Sequence, residues 1–384
     1  MSSSHKQLSH LLYRLLFFWS LPFIFLSFIL PVYSRIMKAS ALETAGLFSI
    51  FTATILFLHP IVGWTLDRFG RKGIFVTALW IYVIAMVAFS FAHNLTGFYV
   101  ARLIQGIGAA FMWSAVNTII ADFTTQEDRG REMGRVNKII TWGGLTGIIA
   151  GSILLFILPE VIGWRVTFIS YAAINTFGAI MASKYLPETL QRRNISREKH
   201  PVSRQILNLL VVAFISGAAE GILGFIYIIY LQDTFTKNLM VLAAAFLPAE
   251  LLTVFMAKRL GGLSDRFDRA KIMAAGMAAA GAISLFLPWI SSLVWLAVFY
   301  SLSSAMWALS EPAETSMVAE ISGRARRGTG YGLYALAGNL GYTIGPLAGG
   351  FLYDTSGYKM PFYMHGAILL AGAAWALLFL RRIR

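Results

Sequence analysis

Four glutamates lie inside long apolar stretches of this chain, where ionisable side chains are rare. Glu220 lies in the stretch SGAAEGILGFIY, Glu250 follows Pro248 by two residues, and Glu311 and Glu314 are three residues apart. Burying an ionised carboxylate among apolar groups is costly, so such a group takes up a proton more easily than in water. The chemistry that these residues could perform is therefore reversible proton binding near neutral pH.

We predict that Glu220 and Glu311 carry protons as a pair, with Glu250 and Glu314 as further candidates. At helical spacing, Glu220 shares one face with small and polar residues. These are Ser216, Gly217, Gly224 and Tyr227. Such a stripe favours a position facing a cavity or a neighbouring helix. The alternative is structural, in which the acids only satisfy helix ends or pair with basic residues.

The chain has an unusually apolar composition, which indicates that the segments carrying these acids lie in a membrane. Of 384 residues, 57% are hydrophobic and only 13% are charged, against about a quarter charged in a soluble domain. Apolar runs recur along the chain, and each is long enough to cross about 30 Å of hydrocarbon. The net charge of +14 comes from short loops rather than one basic face, so we expect no nucleic-acid partner.

Charged and Gly/Pro breaks divide the chain into twelve predicted membrane-spanning helices, and the fold class is therefore an all-α membrane protein. In chain order, spans 1 to 12 are 11–33, 42–66, 74–93, 96–121, 137–158, 164–186, 206–231, 239–260, 270–290, 293–318, 329–353 and 360–380.

Basic residues set the predicted orientation, because Lys and Arg are retained on the cytoplasmic side. With both termini in the cytoplasm, 26 of the 32 Lys and Arg residues lie on that side and five on the other. Arg102 alone lies inside a span. We therefore predict a protein of the inner (plasma) membrane with both termini cytoplasmic.

The chain repeats itself with an offset of 198 residues. GWTLDRFGRKG (63–73) matches GGLSDRFDRAK (261–271), and Gly143, Gly147 and Gly151 match Gly341, Gly345 and Gly349. Glycines four residues apart let helix backbones approach closely. The repeat predicts two pseudo-symmetric six-helix bundles, 1–186 and 206–384, joined by a cytoplasmic linker at 187–205.

These motifs resemble the major facilitator superfamily of secondary transporters, in particular its drug/proton antiporter branch. GWTLDRFGRKG is similar to that family's loop between helices 2 and 3, RLIQGIGAA (102–110) to its fourth-helix motif, and GWR (163–165) to its entry into helix 6. The resemblance implies alternating access between two bundles. It also implies proton handling by Arg102, whose alternative is a structural partner within the first half.

By the same resemblance, the charged turns are expected to gate the conformational change. The residues concerned are Gly63, Asp67, Arg68, Gly70 and Arg71 in the first copy, and Asp265, Arg266 and Arg269 in the second. Their charge contacts would stabilise the state that is closed to the cytoplasm.

The predicted substrate cavity is rich in aromatic and hydroxyl groups and poor in fixed charge. Its candidate residues are Trp19, Phe23, Ser27, Trp113, Asn117, Trp142, Thr146, Tyr227 and Trp307. Aromatic walls with acids in one half suit lipophilic or cationic organic molecules. For any single aromatic residue, plain packing between helices is the alternative.

Together these patterns predict a monomeric secondary transporter that exports lipophilic or cationic small molecules, with the proton gradient as its energy source and no cofactor or metal. Uptake of a sugar or organic acid, and flipping of a lipid or glycolipid, are the alternatives on the same fold. The expected partners are a small-molecule substrate, protons and the lipid bilayer. The sequence carries none of the catalytic motifs of a membrane-embedded enzyme, so we do not expect enzymatic activity.

The absence of cysteine allows the orientation to be tested with single introduced cysteines. Lys237→Cys and Lys359→Cys should react with a membrane-impermeant maleimide on intact cells, because both lie in loops predicted to be external. Arg193→Cys should react only after permeabilisation. Labelling of Arg193→Cys in intact cells would contradict the predicted orientation.

Overall fold

The computed structural model describes residues 3–124, 128–190, 203–264 and 267–380. Within these ranges the chain forms helices and no strand. A helix pairs its interior backbone donors and acceptors within one segment, as a chain in hydrocarbon must. The predicted all-α membrane class is confirmed.

Thirteen α-helices follow one another in the described part of the chain. They are α1 Ser3–Ser20, α2 Pro22–Ile36, α3 Ala41–Phe69, α4 Arg71–Phe91, α5 Leu95–Phe123, α6 Arg129–Ile157, α7 Glu160–Tyr185, α8 Arg204–Thr234, α9 Leu239–Ser264, α10 Arg269–Phe286, α11 Leu293–Trp307, α12 Ser310–Ser356 and α13 Met360–Phe379. A 3₁₀ turn, Leu287–Trp289, lies between α10 and α11.

Ten helical stretches in these ranges are long and apolar enough to cross a bilayer, and they coincide with predicted spans 1–7, 9, 10 and 12. Span 1 is the stretch Gln7–Ile36, interrupted at Leu21 between α1 and α2. The interruption precedes Pro22, which has no backbone N–H to continue the helical ladder. Span 8 falls on α9, whose shorter apolar part is Leu239–Thr253, and span 11 falls on the second part of α12.

The 47-residue helix α12 reverses direction along its length. The Tyr334 hydroxyl donates to Glu314 Oε2 at 2.8 Å, and the Tyr331 hydroxyl donates to the Thr315 carbonyl at 2.9 Å. A straight helix rises about 1.5 Å per residue and would hold such pairs more than 20 Å apart. The two arms of α12 therefore lie side by side, as two successive membrane spans do.

The chain divides into two compact units. The first comprises Met1–Leu30 with Ile50–Arg197, and the second comprises Pro31–Ser49 with Glu198–Arg384. The predicted boundaries at 186 and 206 stay a prediction, since much of the linker, 191–202, lies outside the described residues.

An aromatic core fixes the helices of the first unit and explains the GWR motif. Trp164 of α7 is buried and donates from Nε1 to the Phe89 carbonyl of α4 at 2.7 Å. Its ring stacks on Phe98 of α5, with 5.2 Å between ring centroids. Because the indole N–H has a partner, this large side chain can be buried without an unsatisfied donor.

Segment 31–49 is joined to the rest of the second unit by charged contacts. Arg35 donates to both carboxylate oxygens of Asp233 in a fork–fork pair, at 3.2 Å and 2.5 Å. The carboxylate of Asp354 accepts from the backbone N–H groups of Ala41 and Leu42 at 3.0 Å and 2.8 Å. An anion at this position satisfies unpaired donors at the start of α3 and favours the helix dipole.

The repeated glycines lie where helix backbones come closest. A Cβ atom on Gly147 of α6 would overlap the carbonyl of Leu21, and one on Gly345 of α12 would overlap the carbonyl of Ala218 in α8. The two glycines are 198 residues apart. The same close approach is therefore built once in each unit.

We expect Gly147→Ala to destabilise the protein by about 1–3 kcal/mol, because the added methyl group overpacks a backbone contact. Thermal unfolding in detergent measures the effect. Gly134→Ala, in the same helix, is the matched control, since nothing lies within 4 Å of a Cβ atom there. Equal melting temperatures for the two variants would contradict the proposed backbone contact.

Candidate substrate and proton site

One small cavity of the second unit brings together acid and aromatic residues that the sequence singles out. Its volume is about 80 Å³. Glu220 of α8 lines this cavity with Tyr300, Ser304 and Trp307 of α11 and His365 of α13. A carboxyl group, a hydroxyl, an imidazole and aromatic rings thus share one space, which can hold a proton, water or a cationic group.

Tyr300, which lines the cavity, stacks on Tyr227, a predicted cavity residue that does not line it. The rings of Tyr227 and Tyr300 are 3.5 Å apart between centroids and inclined by 5°. The Tyr227 hydroxyl donates to the Ala245 carbonyl at 3.4 Å, so the stack connects α8, α11 and α9. Tyr227 is fully buried and supports Tyr300 from behind.

Glu314 is the most enclosed of the four predicted acids, with 1% of its surface exposed. Its two oxygens accept from the Ser216 hydroxyl of α8 at 2.5 Å and from the Tyr334 hydroxyl of α12 at 2.8 Å. The carboxyl group therefore bridges α8 and both arms of α12. This arrangement also agrees with the alternative in which Glu314 has a structural role, because its hydrogen bonds hold helix segments together.

The other acids are more open than Glu314. Glu220 and Glu311 are exposed when the chain is taken without a bilayer, and Glu250 is half-buried. Glu220 lies within electrostatic range of Glu311, Glu250 and Glu314. Because like charges repel, the carboxyl groups of this cluster compete for protons.

The first unit holds an aromatic cluster in place of acids. Trp19 is fully buried, and its ring centroid lies 4.6 Å from that of Phe23 and 5.3 Å from that of Trp113. Tyr82 of α4 completes the cluster, 5.3 Å from Trp19. Sequence reasoning missed Tyr82, because it lies in an apolar run with nothing to distinguish it from core.

Arg102 lies buried in α5 of the same unit. Its Nη1 donates to Gln105 Oε1 at 2.9 Å, and its guanidinium carbon lies 5.0 Å from the centre of the Phe51 ring. Both contacts stabilise a cation that cannot be deprotonated.

The remaining cavity candidates of the first unit are more exposed. Ser27 and Thr146 donate to carbonyls of their own helices, at 3.2 Å and 2.8 Å, while Asn117 and Trp142 are exposed. The structure therefore brings together Trp19, Phe23 and Trp113, and places the other four at more open positions.

The charged turns each form an ion pair with an acid that the sequence did not single out. Arg71 Nε lies 3.2 Å from Asp122 Oδ2, and Arg269 Nη1 lies 2.8 Å from Glu320 Oε2. Both pairs are 51 residues apart, and the two arginines are related by the offset of 198. The repeat thus preserves an ion pair as well as a sequence pattern.

Other residues of the turns have different surroundings. Arg68 is exposed and lies over the Trp64 ring, 5.2 Å from its centre, while Gly63 has open space around its Cα. Asp265 and Arg266, as well as the side chain of Asp67, lie outside the described residues.

Glu188, which follows α7, anchors the first charged turn. Its carboxylate accepts from the backbone N–H groups of Arg71 at 2.9 Å and of Lys72 at 3.2 Å, where α4 begins. Gly70 has φ of +87°, a conformation that favours glycine, and a Cβ atom there would overlap the same carboxylate. The positive φ therefore explains why the turn favours glycine at this position.

A helical membrane fold, a duplicated arginine–acid pair and an acid-lined cavity define the class of the protein as a membrane transporter. The family model described as Major Facilitator Superfamily matches residues 15–302 and 209–384, and the chain belongs to this superfamily. It is a transporter of small-molecule substrates and not an enzyme, as predicted.

Relatives cover nearly the whole chain. It is 24% identical over 367 residues to Multidrug resistance protein 2 of Bacillus subtilis (strain 168), covering 90% of this chain and 88% of that protein. It is 23% identical over 332 residues to the multi-drug resistance efflux pump PmrA of Streptococcus pneumoniae serotype 4, covering 83% and 82%.

Among solved structures, a bacterial homolog of the human lysosomal transporter Spinster, in an inward-facing and occupied conformation, is similar with a TM-score of 0.82 at 15% identity. The match covers 99% of this chain and 98% of that one. This likeness shows the fold alone.

The Glu188 contact predicts a pH dependence of stability. Burial by itself would raise the pKa of Glu188, but donation from the N–H groups of Arg71, Leu190, Lys72 and Thr189 outweighs burial, so the pKa is lowered. The contribution to stability is therefore complete above about pH 4.3, the usual pKa of glutamate. It is lost as pH falls through the lower pKa of the folded state.

Glu188→Gln should melt a few degrees below the wild type, by a constant margin from pH 8 to 5 that shrinks in more acidic buffer. Thermal unfolding in detergent from pH 8 to below the usual pKa of glutamate, about 4.3, measures the margin. Glu160→Gln, at an exposed position, is the control. A margin that does not change with pH would show that the carboxylate form is not the stabilising one.

Proposed function

We propose that this transporter exports lipophilic or cationic small molecules in exchange for protons, by alternating access. The observation that carries the proposal is the position of Glu220, a membrane carboxyl group that lines the same cavity as Tyr300 and Trp307. A carboxylate beside aromatic rings attracts an organic cation. When protonated, the same group loses that attraction, so proton and cation compete for one site.

The names of its relatives support export as the direction. Multidrug resistance protein 2 and the efflux pump PmrA are named for resistance and efflux. Direction in a secondary transporter follows the gradients, and an inward proton gradient drives a proton–cation exchanger toward export. The proton gradient is thus the energy source, and the proposal requires no cofactor or metal.

Glu220 and Glu311 are proposed as the main proton carriers, with Glu250 nearby in the same cluster of acids. Glu314 already accepts a hydrogen bond on each oxygen, from Ser216 and Tyr334, so it would take up a proton only if these hydrogen bonds rearrange. In the first unit, Arg102 supplies a fixed buried cation. The aromatic cluster around Trp19 supplies apolar surface for a lipophilic substrate.

The charged turns are proposed to control conformation at the cytoplasmic ends of the helices. The pairs Arg71–Asp122 and Arg269–Glu320 tie helix ends within each unit, and their charges are available to stabilise one state of the cycle. The protein is proposed to act as a monomer in the inner (plasma) membrane, with both termini in the cytoplasm.

Reconstitution into proteoliposomes with an imposed pH gradient tests this function. The probes are tetraphenylphosphonium as a lipophilic cation, a hexose and a fluorescent phospholipid. We expect gradient-driven movement of the cation, coupled to proton movement. Glu220→Gln should reduce both by about tenfold or more, since a lost charge contact of about 1.4 kcal/mol corresponds to a factor of ten.

Glu160→Gln, an exposed acid outside the cavity, should transport like the wild type. Movement of the hexose or the phospholipid without the cation would replace cation export by one of those activities. Cation transport that ignores the pH gradient would remove proton coupling, and coupled transport that survives Glu220→Gln would remove Glu220 from the mechanism.

A further inference from the structure

A histidine that the proposed function does not use lies on the same cavity as Glu220. His365 is near the start of α13, and only 6% of its surface is exposed. It is nevertheless one of the residues that line the cavity. Histidine is the side chain whose ordinary pKa lies closest to neutral pH. A histidine on the same cavity as a carboxyl group could therefore exchange protons with it.

Hydrogen bonds indicate which ring nitrogen of His365 carries the hydrogen. His365 Nδ1 lies 2.9 Å from Ser284 Oγ, and the Ser284 hydroxyl donates to the Phe362 carbonyl at 3.3 Å. A hydroxyl has one proton to donate, so Ser284 accepts from His365 and Nδ1 carries the hydrogen. Nε2 of the neutral ring is then the nitrogen with a free lone pair.

The presence of an acid and an imidazole on one cavity is specific to the second unit. Subtracting the repeat offset of 198 places Glu220 on Pro22 and His365 on Thr167, neither of which can carry a proton. Duplication explains the packing that both units share, but it does not explain why these two residues are present. Glu220 and His365 therefore point to a function that the first unit does not share.

Few titratable groups face His365 from the helices around it. Helices α8, α10 and α12 pack against α13, and α11 closes the cavity. The titratable residues on their described parts that line the cavity with His365 are Glu220 of α8 and Tyr300 of α11. Tyr230 of α8 packs against Phe362 of α13. From α12, Glu311 and Glu314 lie within electrostatic range of Glu220, and Tyr334 donates to Glu314. From α10, the contact is the non-titratable Ser284.

Among these groups, Glu220 is the one carboxyl that lines the cavity with His365 in the described part of the chain. Glu314 is held by Ser216 and Tyr334. The cavity of about 80 Å³ has room for a few water molecules. A proton that Glu220 releases therefore enters the same space that His365 lines.

We propose that His365 is a second proton-carrying residue of the transporter and receives the proton that Glu220 releases. The O–H bond of the Glu220 carboxyl group breaks as an N–H bond forms on His365 Nε2, which leaves a carboxylate and an imidazolium. The imidazolium then gives its Nε2 proton to water and returns to the neutral ring held by Ser284. The step moves one proton and needs no other reactant. This inference rests on the proposed function, because it assumes that Glu220 exchanges protons.

The test compares two transport modes in the same proteoliposomes, with tetraphenylphosphonium as the probe. Transport driven by a pH gradient needs proton release, whereas exchange of labelled for unlabelled cation at equal pH does not. His365→Gln keeps a hydrogen-bonding group for Ser284 but cannot accept a proton. We expect it to slow gradient-driven transport by about tenfold or more, as for loss of a proton-transfer group, and to leave exchange within about twofold, the ordinary context-dependent spread of a tolerated change.

Two further variants separate proton transfer from structure. Ser284→Ala frees Nδ1 and should slow gradient-driven transport less than His365→Gln does, again without loss of exchange. His59→Gln removes a histidine of α3 and should change neither mode.

Equal loss of both modes in His365→Gln would assign His365 a purely structural role, and no loss in either mode would remove it from proton transfer. If the wild type moves no protons with the cation, the proposed function fails first, and that failure is visible before any variant is made.

Discussion

Hydrocarbon offers no hydrogen-bond partner, and this constraint shapes the backbone and several buried side chains of the protein. Backbone groups must pair within helices, and a buried side chain must find a partner or lose its charge. Trp164 donates to Phe89, Arg102 to Gln105, and Ser216 and Tyr334 to Glu314. A carboxyl group can instead face a cavity, as Glu220 does. Its charge then depends on whether water, a proton or a cation occupies the cavity. The same constraint that makes the fold helical thus underlies the proposed response of this acid to protons and cations.

The two units share the packing features that duplication gave them, whereas the residues that line the cavity differ between the units. Both units retain a close backbone approach at a repeated glycine and an arginine–acid pair 51 residues apart. These are features of packing and of helix ends, and each unit needs them. Glu220 and His365 correspond to Pro22 and Thr167 in the other half. The acid and the imidazole of the cavity therefore belong to one unit, while the aromatic cluster around Trp19 belongs to the other.

Much of the fold was predictable because a membrane-spanning helix must be apolar and long enough to cross the bilayer. The apolar runs predicted the all-helical class, and the offset of 198 residues predicted the duplication. The partners of the charged turns were not predictable: Asp122, Glu188 and Glu320 are single acids near helix ends, and such residues are usually solvated. His365 and Tyr82 were missed because one polar group in an apolar run matches a packed helix as well as a site. Contacts between residues far apart in sequence, such as Glu188 with Arg71, require coordinates.

The different surroundings of Glu220 and Glu314 suggest how one cluster can hold acids with different tasks. Glu314 accepts two hydrogen bonds from hydroxyls on separate helix segments, so a change in its protonation would disturb the packing of α8 against α12. Glu220 lines a cavity instead. In the proposed mechanism the two acids therefore have different tasks. A proton on Glu314 would act on helix packing, and a proton on Glu220 would act on the occupant of the cavity.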